Sequence, residues 1–173
     1  MPANARTNIR NAMKGASMAL FFVFAAASAS VQQPVQAQAQ ENVVFPKSEL
    51  TIRTAGGKTY PFTIELALDD SQRARGLMFR KQMDADHGML FDFGAARQVS
   101  MWMENTVLSL DMVFIQPNGT ISHIRENAVP FSRDIIDSRG PVKYVLELNA
   151  GRTRALGIKV GDKVVGKPFD NGG

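Results

Sequence analysis

The chain has no cysteine, which excludes disulfides, thiolate-bound zinc, thiol nucleophiles and a lipidated cysteine. Histidine is nearly as scarce: His87 and His123 are the only two in 173 residues. No G-x-S-x-G, H-E-x-x-H, G-x-G-x-x-G, P-loop or EF-hand pattern is present, so none of the common hydrolase, zinc, dinucleotide, nucleotide or calcium sites is spelled out. A nucleic-acid binder should carry a basic stripe, whereas lysine and arginine are scattered singly here, and no nucleic-acid partner is expected. The long helical segments that would alternate with strands in a parallel α/β fold are also missing.

What the N-terminus does contain is a leader. Arg6, Arg10 and Lys14 form a basic start, residues 15–29 are uncharged and mostly apolar, and Ala37-Gln38-Ala39 has the A-x-A form that signal peptidase reads. Cuts after Ala27 or Ala29 are alternatives. A spanning helix needs about 20 predominantly apolar residues. This run is shorter and diluted by Ala and Ser, so the membrane is a partner only if the leader stays uncleaved. The domain reading is therefore 1–39, signal peptide and tether start; 40–48, flexible tether; 49–168, a single β-rich domain; and 169–173, a flexible tail. The expected location is periplasmic or secreted. Of 20 Lys and Arg, 17 remain without the leader's three, against 16 Asp and Glu, which brings the net charge from +4 to near +1. The isoelectric point of about 9.6 thus owes much to the leader.

Within the domain, residues 50–54 alternate apolar and polar, Gly56-Gly57 makes a turn, and residues 60–68 place Phe62, Ile64, Leu66 and Leu68 on one face, which predicts a hairpin. Asp69 or Asp70 can cap a short helix over 71–75, because a short side-chain oxygen satisfies an orphan helix N–H; Gly76 can end it by tolerating positive φ. Residues 88–94 and 99–103 read as strands. Residues 111–116 and 120–125 form a hairpin about Pro117-Asn118-Gly119. A strand over 142–148, one helical turn over 153–156 stopped by Gly157, and a short strand over 163–166 complete the chain. Seven or eight short strands with one or two short helices predict a mainly β fold, a compact antiparallel sandwich or barrel of jelly-roll type.

The most distinctive run is Met101-Trp102-Met103-Glu104-Asn105-Thr106, followed by Leu110-Asp111-Met112-Val113-Phe114-Ile115; it holds the only tryptophan and an acid inside an apolar stretch. Arg75-Gly76-Leu77-Met78-Phe79-Arg80 and Gly88-Met89-Leu90-Phe91 precede it; Tyr144-Val145-Leu146-Glu147-Leu148, Ala150-Gly151 and Gly161-Asp162 follow. In this order, over about residues 49–167, the motifs resemble domain-of-unknown-function family 192. Ser109 stands where that family often has proline before the Leu-Asp pair. The resemblance implies a compact, β-rich, often exported fold, and no established activity, substrate or cofactor.

Three groups of residues could carry chemistry. Asp111, on the strand face of Val113 and Ile115, is costly among apolar neighbours unless paired or hydrogen-bonded. Arg75 and Arg80 are its natural partners. It can be a pocket acid or part of an Asp–Arg pair that orients a ligand, the anchor of a carboxylate hydrolase with Glu104, a structural ion pair, or a carboxylate that ties down backbone N–H groups. Trp102 can wall a pocket with Arg75, Met78, Arg80, Glu104, Asn105, Thr106 and Asp111, where a sugar-like ligand could stack, or it can be a core residue with a satisfied indole N–H. His87, Met89, Met101 and Met103 could hold Cu(I) or Ag(I) as soft ligands, or simply pack, as methionine usually does. No cofactor is expected. The function expected from these residues is a non-catalytic, exported module that binds a small molecule or an envelope polymer, with the soft-metal binder and the Asp111 hydrolase as alternatives.

Overall fold

The structure, a computed structural model, describes residues 43–167 and 169; the expected leader and cut sites, the first part of the expected tether and the rest of the expected tail lie outside the described residues. Nine strands and two short helices follow in the order β1 (Lys47–Arg53), β2 (Thr59–Ala67), α1 (Asp70–Arg75), β3 (His87–Arg97), β4 (Ser100–Met101), β5 (Leu110–Ile115), β6 (Ile121–Ala128), β7 (Ile136–Asp137), β8 (Val142–Asn149), α2 (Arg152–Leu156) and β9 (Lys163–Val165). The fold is mainly β, as expected. Seven strands form one sheet in the order β6-β5-β8-β3-β2-β1-β9, and β4 pairs with β7 in a separate two-stranded ribbon.

The local readings hold where the chemistry is local. β1 and β2 form the first hairpin, with Gly57 at φ 82° in its turn. Asp69 caps α1: its carboxylate accepts from the Gln72 backbone N–H, and the Gln72 side chain accepts from the Asp69 N–H in return. β5 and β6 form the second hairpin. β1 begins at Lys47, two residues before the expected domain start.

Long-range pairing departs from a purely antiparallel sheet. β2 and β3 run parallel. A parallel pair needs a crossover of roughly a dozen residues or more, and the segment between them, which carries α1, supplies it. The expected strand over 99–103 shrinks to the two residues of β4, and β7 is too short to show a period.

The sheet curls until its two edge regions touch. Val164 N–H donates to Gly119 O at 2.8 Å, Ile121 N–H to Asp162 O at 2.9 Å, and Gly161 N–H to Ile121 O at 2.9 Å. Inside the curl lies one core, with Leu50, Ile52, Phe62, Ile64, Leu90, Val113, Ile115, Tyr144, Leu146 and Leu148. The outer face carries a second, with Leu77, Met89, Phe91, Met103, Leu110, Met112, Phe114 and Val145. β5 is therefore buried along its whole length, on both faces.

Gly119 is the residue on which this edge contact turns. Its φ is 80°, and a Cβ there would stand 2.3 Å from Val164 O. Gly57 has nearly the same φ, 82°, with open space around it. Gly57→Ala should thus cost about 1 kcal/mol of backbone strain, whereas Gly119→Ala, which adds a clash with backbone, should cost about 3 kcal/mol. Urea unfolding of the two variants measures the difference, and equal losses would mean that the edge contact adds nothing.

Candidate functional site

Asp111 is not in a cleft. It is fully buried, and its carboxylate accepts four hydrogen bonds: Oδ1 from the N–H groups of Asn127 and Gly151, both at 3.0 Å, and Oδ2 from Thr153 N–H at 2.9 Å and Thr153 Oγ1 at 2.7 Å. These donors come from the end of β6 and the start of α2. Arg75 and Arg80, its expected partners, are elsewhere: the Arg75 guanidinium lies over Phe79 at 4.9 Å, and Arg80 pairs with Glu65 beside Phe45. Of the structural readings, the carboxylate that ties down backbone N–H groups replaces the arginine ion pair, because such N–H groups meet the need of a buried carboxylate as well as a cation does.

The cleft itself forms on the outer face of the sheet. α1 and the turn after it supply Arg73, Arg75 and Met78; β3 supplies Phe91, Phe93 and Arg97; β4 and the loop after it supply Met101, Trp102, Glu104 and Thr106. The hollow holds about 340 Å³, within the range of small-molecule sites. Gly76 allows the close approach of the α1 turn to β3, since a Cβ there would stand 3.1 Å from the Phe91 ring.

Of the expected site residues, Arg75, Met78, Trp102, Glu104 and Thr106 are brought together around this hollow. Trp102 is 47% exposed and so is a wall rather than a core residue. Glu104 is held by Arg133. Asn105 takes φ 56°, its carbonyl accepts from Phe79 N–H at 2.9 Å, and its amide lies 3.9 Å from the Met78 sulfur, so it shapes the rim without lining the hollow. Arg80 lines a different hollow with Glu65 and His87. The four soft-ligand candidates are not assembled: His87 sits with Asp84 and Asp86, Met101 lines the cleft, and Met89 and Met103 are buried in the outer core. Among the described residues no cluster of three His, Asp or Glu is suited to a metal ion.

The residue that sequence reasoning missed is Glu147. It lines the cleft, is only 4% exposed, and stands on β8 directly between Met89 of β3 and Met112 of β5. Thioethers and methylenes donate no hydrogen bond. Among the described residues nothing pairs with its carboxyl group, and burial pushes the group up to about 8. The signal was available: alternation over 144–148 puts Glu147 on the face of Val145, an acid in an apolar strand just as Asp111 is.

The sign of the pH effect follows. In the unfolded chain Glu147 ionises near 4.5, in the folded chain near 8. Between these values the native state holds the extra proton, so stability falls as pH rises through the window, by about 1.4 kcal/mol per unit at most. Urea unfolding at pH 5 and pH 8 should show a drop of several kcal/mol in the native chain beyond that in Glu147→Gln. Parallel pH profiles for the two proteins would contradict this placement of the carboxyl group.

With this geometry in hand, comparison with known proteins places the chain. A crystal structure from Sinorhizobium meliloti 1021, described as that of a candidate transcription regulator, is 58% identical, with a TM-score of 0.71, over 72% of this chain and 96% of that one. A crystal structure of a protein of unknown function from Novosphingobium aromaticivorans DSM 12444 is 34% identical, with a TM-score of 0.68, over 78% of this chain and 90% of that one. No curated protein matches. Residues 51–166 match DUF192, "Uncharacterized ACR", and the chain belongs to that family.

Proposed function

We propose that this is an exported, non-catalytic binding domain that takes a small, largely apolar molecule into the cleft beneath Trp102. The observation that carries the reading is a half-exposed tryptophan over a hollow of ligand size that Phe91, Phe93, Met78 and Met101 also line. Large aromatic and thioether walls in a hollow of this size fit a small guest with an apolar part better than an extended polar polymer. Export rests on the leader: the basic start, the apolar run and Ala37-Gln38-Ala39. A hydrolase centred on Asp111 lacks support, since that carboxylate is enclosed by four protein donors. Transcription regulation through DNA binding is not favoured either, although the Sinorhizobium relative is described as a candidate transcription regulator. Arg73, Arg80, Arg133 and Arg154 each face a carboxylate, and no basic stripe results.

Because Trp102 is the only tryptophan, its fluorescence reports the cleft directly. A panel of apolar amines, acids, sugars and short peptides should contain members that shift the emission saturably. Trp102→Ala should weaken those same members about tenfold by calorimetry, the worth of one aromatic wall. Binding that Trp102→Ala leaves untouched would remove the proposed site.

A further inference from the structure

Glu147 lines the cleft as an acid that the described residues leave alone. Its in-register neighbours are Met89 and Met112, both fully buried. The charged groups sharing the cleft are Arg73 and Arg75 of α1, Arg97 of β3 and Glu104 after β4. None reaches it. Arg73 donates to the Asp92 carbonyl at 2.7 Å and pairs with Asp70, and Glu104 pairs with Arg133. The Arg75 guanidinium stacks over Phe79 and that of Arg97 over Phe93, at 4.9 and 5.1 Å, with no carboxylate partner for either among the described residues. Lys143, on the same strand, turns to Tyr144 and Asp92. Met112 is the β5 residue in register with Glu147, and it carries no charge.

The hollow therefore has an acid with no cation, aromatic walls from Phe91, Phe93 and Trp102, and two guanidinium groups with no anion. Aromatic faces attract ammonium groups, and a desolvated carboxylate gains most from a cation that fills its open side. A simple amine would meet repulsion from Arg75 and Arg97 on its way in. A negative group at its far end turns that repulsion into attraction.

Building on the small-molecule reading of the cleft, we propose that its ligands are zwitterionic amphiphiles. The ammonium end rests on Glu147, an apolar spacer lies along Trp102, Met78 and Phe93, and an anionic end meets Arg75 and Arg97. Proton balance follows. The ligand enters as R–NH3+, the glutamic acid becomes a carboxylate, and its proton passes to the buffer. Because burial holds the empty acid protonated at neutral pH, close to one proton is released for each ligand bound.

Calorimetry of the mature chain at pH 7, in two buffers of different ionisation heat, with ω-aminooctanoate, octylamine and octanoate, tests this. The ω-amino acid should bind most tightly, octylamine about three- to tenfold more weakly, and both should release nearly one proton. The proton count needs no variant. Glu147→Gln should abolish the release and weaken both amines tenfold or more, leaving octanoate unchanged. Arg97→Gln should erase the advantage of the ω-amino acid over octylamine. Octanoate binding as well as the amines, with no proton released, would overturn the ammonium assignment and leave the cleft reading standing. No saturable binding of any of the three, with Trp102 emission unmoved, would overturn both.

Discussion

The structure depends on the carboxylate of Asp111. Two oxygens hold three backbone N–H groups and one hydroxyl, from the end of β6 and from the N-cap and first turn of α2. Two of the donors sit at left-handed residues, Asn127 at φ 52° and Gly151 at φ 77°, whose conformations leave their N–H groups outside any strand ladder. Each such donor left unpaired in the interior would cost about 1–3 kcal/mol. One side chain therefore ties the exit of the second hairpin to the exit of β8 and fixes β5 between them.

The site follows from that anchoring. With β5 and β8 in register, Met112 and Glu147 face outward side by side, and Met89 of β3 completes the row. The outer layer then closes over it. Asn105 and Thr106 act as a clasp: the Asn105 carbonyl accepts from Phe79 N–H and the Thr106 carbonyl from Phe131 N–H, so the turn after α1 and the loop before β7 join the loop that carries Trp102. Phe79 and Phe131 both take positive φ, 65° and 60°, an unusual state for bulky residues. Strain of this kind persists only where neighbours over-determine it, and here it lies at the rim of the cleft.

The sequence made the hairpins and the helix cap legible because their causes are local: alternation, a glycine at positive φ, an Asp before a helix start. It also named part of the cleft wall, since Arg75, Met78, Trp102, Glu104 and Thr106 do meet, but not Phe91, Phe93, Arg97 or Glu147. It could not separate the two acids. Asp111 and Glu147 look alike in one dimension, each a carboxyl group in an apolar strand. What distinguishes them is whether backbone N–H groups from distant segments arrive at the side chain, and that depends on register and crossover. Asp111 receives four donors and becomes structure; Glu147 lies between two methionines and is left with the hollow. The parallel pairing of β2 with β3 and the Gly119 edge contact were invisible for the same reason.

One glutamic acid, Glu147, stands buried, uncharged and without a partner among the described residues beside an open cleft. Carbon-13 NMR of the side-chain carboxyl groups, followed through a pH titration and assigned with Glu147→Gln, measures this directly. One carboxyl signal should titrate near pH 8 and vanish in the variant. If every glutamate instead titrates at or below about pH 5, close to the ordinary range, Glu147 is solvated or partnered and the account of the site fails.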